Sequence, residues 1–129
     1  MLFKFPKDDK YFSWTSHVKG KILRYRLSEQ KIKTVLKNPD RKEEGIAPNT
    51  SAVMKRNDTP KRKEEIWVMF VLQSKTRGIT QNKTQNNAEN KKAPLQIRII
   101  SAWRYPGISP KGKEIPIPND ILEELEGIL

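Results

Sequence analysis

The chain has 129 residues, no cysteine and a formal net charge of +11. This length predicts one domain spanning residues 1–129. The absence of cysteine excludes disulfide scaffolds, thiolate zinc sites and cysteine nucleophiles, and it fits a reducing, cytoplasmic location. No apolar run reaches the roughly 18 residues that a membrane span needs, so we expect no membrane partner. Phosphate-binding glycine loops, zinc signatures and dinucleotide fingerprints are absent too, so we expect no metal and no cofactor.

Positive charge is concentrated in the first half of the chain. Residues 1–63 hold 17 of the 26 Lys and Arg and 7 of the 15 Asp and Glu, which leaves a net charge of +10 there and +1 in residues 64–129. One electropositive face favours a polyanion partner such as nucleic acid. The alternative is that the lysines serve solubility.

The N-terminal half predicts two helices after a polar arm or short edge strand at 1–12. Apolar residues spaced four, four and three apart indicate an amphipathic helix over 14–26: Trp14, Val18, Ile22 and Tyr25. Thr15 or Ser13 is suited to cap its start. A second helix is expected from Glu29 to Lys37, with Ser28 as N-cap and Asn38-Pro39 as its end. Together they predict a helical hairpin.

The rest of the chain predicts three strands and a last helix. Weak alternation suggests a strand around 51–55, and the wholly apolar run 66–72 suggests a central strand covered on both faces. Residues 74–93 lose all periodicity and predict a mobile loop. Strand pairing resumes from Leu95 to Trp103 or Tyr105, and a helix follows over 120–127. The expected fold is therefore α+β, an N-terminal helical hairpin packed on a small antiparallel β-sheet of three to four strands, with a short C-terminal helix.

Two arginines stand out in the last strand. By the two-residue period of a strand, Arg98 and Arg104 lie on one side, with Ser101 and Tyr105 on the other. One interpretation is that the arginines clamp a phosphate and stabilise charge on a transition state. The alternative is an ordinary structural role, in which they are salt-bridged to the acids of the last helix: Glu123, Glu124 or Glu126.

The first helix carries a row of polar residues opposite its apolar stripe. His17, Lys21 and Arg24 are spaced i, i+4 and i+7. Metal-independent RNA cleavage needs a base, an acid and a cation, and the ordinary pKa of histidine, roughly 6.5, suits either proton-transfer role. His17 can equally be a solvated or capping residue. Lys55-Arg56 with 61–63 forms a possible phosphate track, although such runs are usually solvated surface.

Several of these segments are similar to a family of bacterial toxins. The chain resembles the BrnT-like branch of the RelE superfamily, which has the RelE/ParE-like fold, in three segments: the opening 12–19, the stretch 25–39 that ends in Asn38-Pro39, and the strand Ile97-Arg98-Ile99-Ile100-Ser101-Ala102. The resemblance implies a metal-independent endoribonuclease of a toxin–antitoxin system, which cleaves RNA by attack of the 2′-OH and is restrained by an acidic antitoxin. Trp103 and the long 74–93 segment depart from the family pattern.

The resemblance and the charge pattern together assign residues. Four are predicted to be catalytic, at positions that match the family: His17, Arg98, Ser101 and Arg104. Six are predicted to bind RNA: Lys19, Lys21, Arg24, Lys55, Arg56 and Tyr105. Two further hypotheses stay open: a non-catalytic, basic nucleic-acid-binding module, and a mobile-element protein that keeps a toxin-like fold as a scaffold.

Overall fold

The computed structural model describes residues 5–46, 49–74, 95–111 and 114–128. The elements, in chain order, are β1 (Phe12–Trp14), α1 (Ser16–Tyr25), α2 (Glu29–Lys37), β2 (Arg41–Glu44), β3 (Ser51–Arg56), β4 (Glu64–Ser74), β5 (Leu95–Pro106) and α3 (Asn119–Ile128). The predicted loop at 74–93 lies outside the described residues except for Ser74, which ends β4.

The sheet differs from the predicted one. It has five strands in the order β1-β5-β4-β3-β2, and it is mixed because β1 runs parallel to β5 while the other pairs are antiparallel. The expectation of an antiparallel sheet of three to four strands below an N-terminal helical hairpin was therefore wrong. A strand opens the fold, α1 packs chiefly on β5, and α2 packs on β3 and β4.

β2 was not predicted, and β1 begins at the end of the segment 1–12, for which a polar arm or a short edge strand was predicted. Neither strand shows the apolar alternation that marks a strand in sequence. β2 is Arg-Lys-Glu-Glu, and it forms because its backbone pairs with β3 from Arg41↔Met54 to Glu44↔Ser51. β1 has three residues, too few to show a period, and it pairs with Ile97, Arg98 and Ile99 of β5. Short, charged strands at sheet edges are a common way to limit unwanted edge pairing.

The helices begin where the capping residues predict. The Thr15 side chain accepts a hydrogen bond from the Val18 N–H, and the Ser28 side chain accepts one from the Lys31 N–H. The range of α2 is the predicted one, whereas α1 is shorter than 14–26. It ends at Tyr25, and its C-cap, Arg26, adopts the left-handed conformation with φ 55° and donates its backbone N–H to Ile22 O and Leu23 O.

Two apolar layers enclose the central strand, as predicted for the 66–72 run. The helix-side core combines α1 and α2 with one face of the sheet, including Val18, Ile22, Ile32, Val68 and Ile99. The C-terminal-side core lies on the opposite face and is covered by Ile115 and Ile121. Within it the rings of Trp67 and Trp103 stack with centroids 6.2 Å apart. Both tryptophans are therefore core residues.

Candidate nucleic-acid interface

A bulge in β5 overturns the predicted arrangement of its two arginines. Met69 pairs with Ser101 and Phe70 with Ile99, so Ile100 is an extra residue on β5. Such a bulge places two consecutive side chains on one side and shifts the alternation that follows. Ile99 and Ala102 consequently both face the helix-side core. Arg98 and Arg104 thus lie on opposite faces of the sheet and do not form a joint phosphate clamp.

Arg104 is held by the end of α1 and by β4. Its guanidinium donates to Tyr25 O at 2.6 Å, to Arg26 O at 3.0 Å and to the Glu64 carboxylate at 2.9 Å. These bonds satisfy carbonyls that the helix end leaves without partners and place a cation at the negative end of the helix dipole. Arg104 therefore has a structural role, but its carboxylate partner is Glu64 of β4 and not an acid of the last helix, as the alternative had proposed.

His17 and Ser101 lie next to each other, beside the bulge in β5. His17 Nε2 and Ser101 Oγ are 2.9 Å apart. Thr15 fixes the approach of α1, since its hydroxyl donates to Ile100 O at 3.0 Å and its backbone N–H donates to Ile99 O at 3.2 Å. Ser101 is fully buried whereas His17 is half-buried. The serine therefore orients the imidazole and does not itself face a substrate.

Two residues of the polar row on α1, Lys21 and Arg24, bind α3, whereas His17 contacts β5. Lys21, only 5% exposed, binds the Asp120 carboxylate at 2.8 Å, and Arg24 Nε lies 3.1 Å from the same oxygen. The Tyr25 hydroxyl donates to the other carboxylate oxygen at 2.9 Å. Three side chains of α1 thus hold the start of α3, and Lys21, predicted to bind RNA, is part of the interior.

The acidity of this cluster follows from its contacts. Burial alone would raise the pKa of Asp120, but hydrogen bonds from Lys21 and Tyr25, together with the charges of Lys21 and Arg24, hold it below its ordinary value. Burial raises the pKa of Tyr25, and its bond to Asp120 acts in the same direction against the lowering effect of Arg24. The phenol is therefore the donor and the carboxylate the acceptor at neutral pH.

The predicted phosphate track at 55–56 is paired internally. Lys55 donates to Asn38 O at 2.9 Å. Arg56 binds Asp58 at 2.6 Å and Glu65 at 3.0 Å. These cations stabilise the β2–β3–β4 region, so their charge is largely neutralised before any ligand arrives.

The other predicted residues do not join a common site. Lys19 is half-buried and lies beside Phe5 and Lys7 near the N-terminal segment. Tyr105 is half-buried against the C-terminal-side core. Arg98 is exposed and approaches Ser13 Oγ at 3.5 Å, a long contact.

Sequence reasoning missed a buried carboxylate on the same face as Trp67. Glu65 has no exposed surface and accepts four hydrogen bonds, from Trp67 Nε1, the Ser109 hydroxyl, the Ser109 N–H and Arg56. Burying an ionised carboxylate is tolerated because every lone-pair direction has a donor. Glu65 was not predicted to be buried because it ends the charged run 61–65, and a run of charged residues ordinarily indicates an exposed surface segment.

Exposed positive charge gathers instead in a groove where the end of α1 meets the β3–β4 turn. This arginine groove encloses about 500 Å³ and is lined by Arg24, Tyr25, Arg26, Asn57, Thr59, Arg62, Glu64 and Arg104. Arg26 and Arg62 are exposed, and their guanidinium groups make no hydrogen bond or ion pair with any residue that the structure describes. Of the four arginines in the lining, Arg104 is paired with Glu64 and Arg24 with Asp120, so Arg26 and Arg62 carry the uncompensated positive charge of the groove.

The signals for the arginine groove in the sequence were indirect. Arg62 belonged to the basic run 61–63, but nothing in the sequence placed that run beside α1. Arg26 follows the last residue of α1, at a position where glycine usually stands because it adopts positive φ without strain. The sequence signal for Arg26 is that the first helix ends without a glycine, just before Ser28 caps the second helix.

Comparisons with protein-family models, with curated proteins and with solved structures gave no match. Over residues 5–46, 49–74, 95–111 and 114–128, no helix combines the length and apolar character needed to cross a membrane. The same residues contain no cluster of three or more histidine, aspartate or glutamate side chains arranged to hold a metal ion.

Proposed function

We propose that this chain is a nucleic-acid-binding module and that the arginine groove is its binding site. The observation that carries the proposal is the pair of exposed guanidinium groups, Arg26 and Arg62, that have no partner among the described residues. Guanidinium groups bind phosphate with two parallel N–H bonds, a geometry that few other ligands match as well. The net charge of +11 favours the encounter with a polyanion.

The backbone of Arg26 gives independent support. A non-glycine residue at φ 55° costs roughly 1–2 kcal/mol relative to an ordinary helical conformation. Such strain is often retained where a side chain has a function. Here the strained residue is an arginine that lines the groove, and its carbonyl oxygen accepts a hydrogen bond from Arg104 at the end of α1.

A direct test is the affinity of the purified chain for a fluorescent RNA at several salt concentrations. The double variant Arg26→Ala/Arg62→Ala should lose at least tenfold in affinity at low salt, because both free cations are removed. The matched control is Lys42→Ala/Lys111→Ala, which removes the same charge from two exposed positions outside the groove. Equal losses in both double variants would mean that diffuse charge, and not the groove, binds RNA.

RNA cleavage is a second candidate, and the observation that favours it is the position of His17. Its imidazole is half-exposed and oriented by the buried Ser101 hydroxyl, as a proton-transfer group needs to be. The resemblance to BrnT-like toxins points the same way and would add an acidic antitoxin as partner. This candidate ranks second because Arg98 and Arg104, the predicted phosphate-stabilising cations, lie on opposite faces of the sheet.

The two candidates separate in one assay. RNA is incubated with the chain in EDTA, and both intact RNA and binding are quantified. A binding module leaves the RNA intact while the salt-sensitive complex forms. Cleavage that His17→Ala abolishes, in a variant that still binds RNA, would instead establish the ribonuclease.

A further inference from the structure

We infer that the arginine groove binds the phosphate backbone of double-helical nucleic acid and reads no bases. This inference rests on the proposed function and specifies its substrate class. It depends on which chemical groups in the lining of the groove are available to a ligand.

Apart from the arginines, the polar side chains of the lining that are able to read a base edge already have hydrogen-bond partners. The Asn57 amide donates to Glu64 at 2.7 Å, and its oxygen accepts from Lys31 Nζ at 3.2 Å. Glu64 also accepts the bond from Arg104. The Thr59 hydroxyl faces the backbone of its own turn, where it accepts from the Arg62 N–H at 3.2 Å. A base entering the groove would have to displace these bonds.

The groove also lacks an open surface for base stacking. Tyr25 is the aromatic residue among the described lining residues. The Arg24 guanidinium lies 5.4 Å from the centroid of its ring, and Asp120 fixes its hydroxyl. Proteins that bind single strands without sequence preference depend on aromatic platforms for about 1–3 kcal/mol per base. That contribution is missing here.

What remains is the pair of guanidinium groups on Arg26 and Arg62. Arginine can also read guanine with two parallel hydrogen bonds, but no described residue holds either guanidinium in the plane of a base edge. Contacts to phosphate fix the position of a nucleic acid but carry no sequence information. A double helix presents closely spaced phosphates and a denser counterion layer than a single strand, so phosphate-only binding favours the duplex. Each hydroxyl and amide side chain in the described lining already has a hydrogen-bond partner in the fold, so none is positioned to recognise a 2′-OH, and duplex RNA and duplex DNA should bind alike.

The experiment measures fluorescence anisotropy with blunt duplexes of about 16 base pairs, enough to span two grooves of an RNA helix. The probes are a GC-rich RNA duplex, an AU-rich RNA duplex, a DNA duplex of the first sequence and the corresponding single strands. We expect Kd values within fivefold among the three duplexes and at least tenfold weaker binding of the single strands. Removing Arg26 and Arg62 together should lower the slope of log K against log salt by about 1.8 on duplex DNA.

The outcomes distinguish this inference from the function it rests on. If composition changes Kd by more than fivefold, or a single strand binds as tightly as its duplex, backbone reading is wrong although nucleic-acid binding stands. If no probe binds at low salt, the proposed function itself fails. Arg26→Gly provides a variant expected to fold at least as well as the parent, so loss of binding in it is not an effect of unfolding.

Discussion

Substitution of Arg26 by glycine should make the chain more stable and less able to bind nucleic acid. Arg26 closes α1 at φ 55° and ψ 49°. Glycine adopts this conformation without steric cost, whereas an L side chain pays roughly 1–2 kcal/mol. The backbone contacts survive the change, because Arg104 binds the carbonyl of residue 26 and not its side chain.

The expected magnitude is smaller than the relieved strain. Glycine also gives the unfolded chain more conformational freedom, which offsets about 0.4–1 kcal/mol. The net gain should be about 0.5–1 kcal/mol, or roughly 2–4 °C in Tm for a chain of this length. Removal of one phosphate contact should cost roughly three- to tenfold in RNA affinity at low salt and reduce the salt slope by about 0.9.

Urea denaturation measures the first effect and anisotropy the second. Arg26→Ala is the matched control, since it removes the same side chain but keeps a non-glycine residue at positive φ. It should lose the same affinity without the gain in stability. If Arg26→Gly is less stable than the parent, the side chain supports the fold. If it is more stable and binds RNA normally, the strain has no role in binding.

Three further substitutions test the internal polar contacts. Glu65→Gln removes the buried negative charge that pairs with Arg56, so the free energy of unfolding measured by urea denaturation should fall by about 2–3 kcal/mol. A fall of less than about 0.5 kcal/mol would contradict the stabilising role of the four hydrogen bonds to this carboxylate. Arg104→Ala removes three hydrogen bonds at the end of α1 and should cost about 2 kcal/mol, with increased hydrogen exchange in the last turn of the helix. Asp120→Asn should lower the free energy of unfolding at neutral pH. The difference in free energy between variant and parent should shrink as the pH falls from about 4 through the lowered pKa of the folded state, because a carboxyl of depressed pKa stabilises the fold only while it is ionised. If that difference stays constant down to pH 2, ionisation of Asp120 contributes nothing to stability.

Local chemistry made the helices predictable and left the sheet underdetermined. Ser28 and Asn38-Pro39 delimit α2 at the predicted residues because capping and the steric effect of proline act within a few residues. β2 was missed because pairing with β3, not its own Arg-Lys-Glu-Glu sequence, makes it a strand. The bulge at Ile100 was missed because strict two-residue alternation assumes that no residue is inserted in the strand. The bulge places Arg98 and Arg104 on opposite faces of the sheet, whereas the alternation predicted one face.

The candidate site was hard to predict for a related reason. The arginine groove joins residues 24–26, 57–64 and 104, which only the packing of α1 beside the β3–β4 turn brings together. His17 and Ser101, by contrast, were chosen from sequence and do meet, at 2.9 Å. Their contact does not by itself give Ser101 a catalytic role, since its hydroxyl is fully buried.

The net charge overstates how many phosphates the chain can hold. Lys21, Lys55, Arg56 and Arg104 are all bound to carboxylates or carbonyls within the fold. Their charges still attract a polyanion at long range, but releasing them to contact phosphate would break the bonds that hold α3 and the β3–β4 region in place. Direct contacts must therefore come from the cations that the fold does not use, and in the arginine groove these are Arg26 and Arg62. The chain should meet nucleic acid rapidly because of its charge of +11, yet hold it through only a few phosphates, in a complex that moderate salt dissociates.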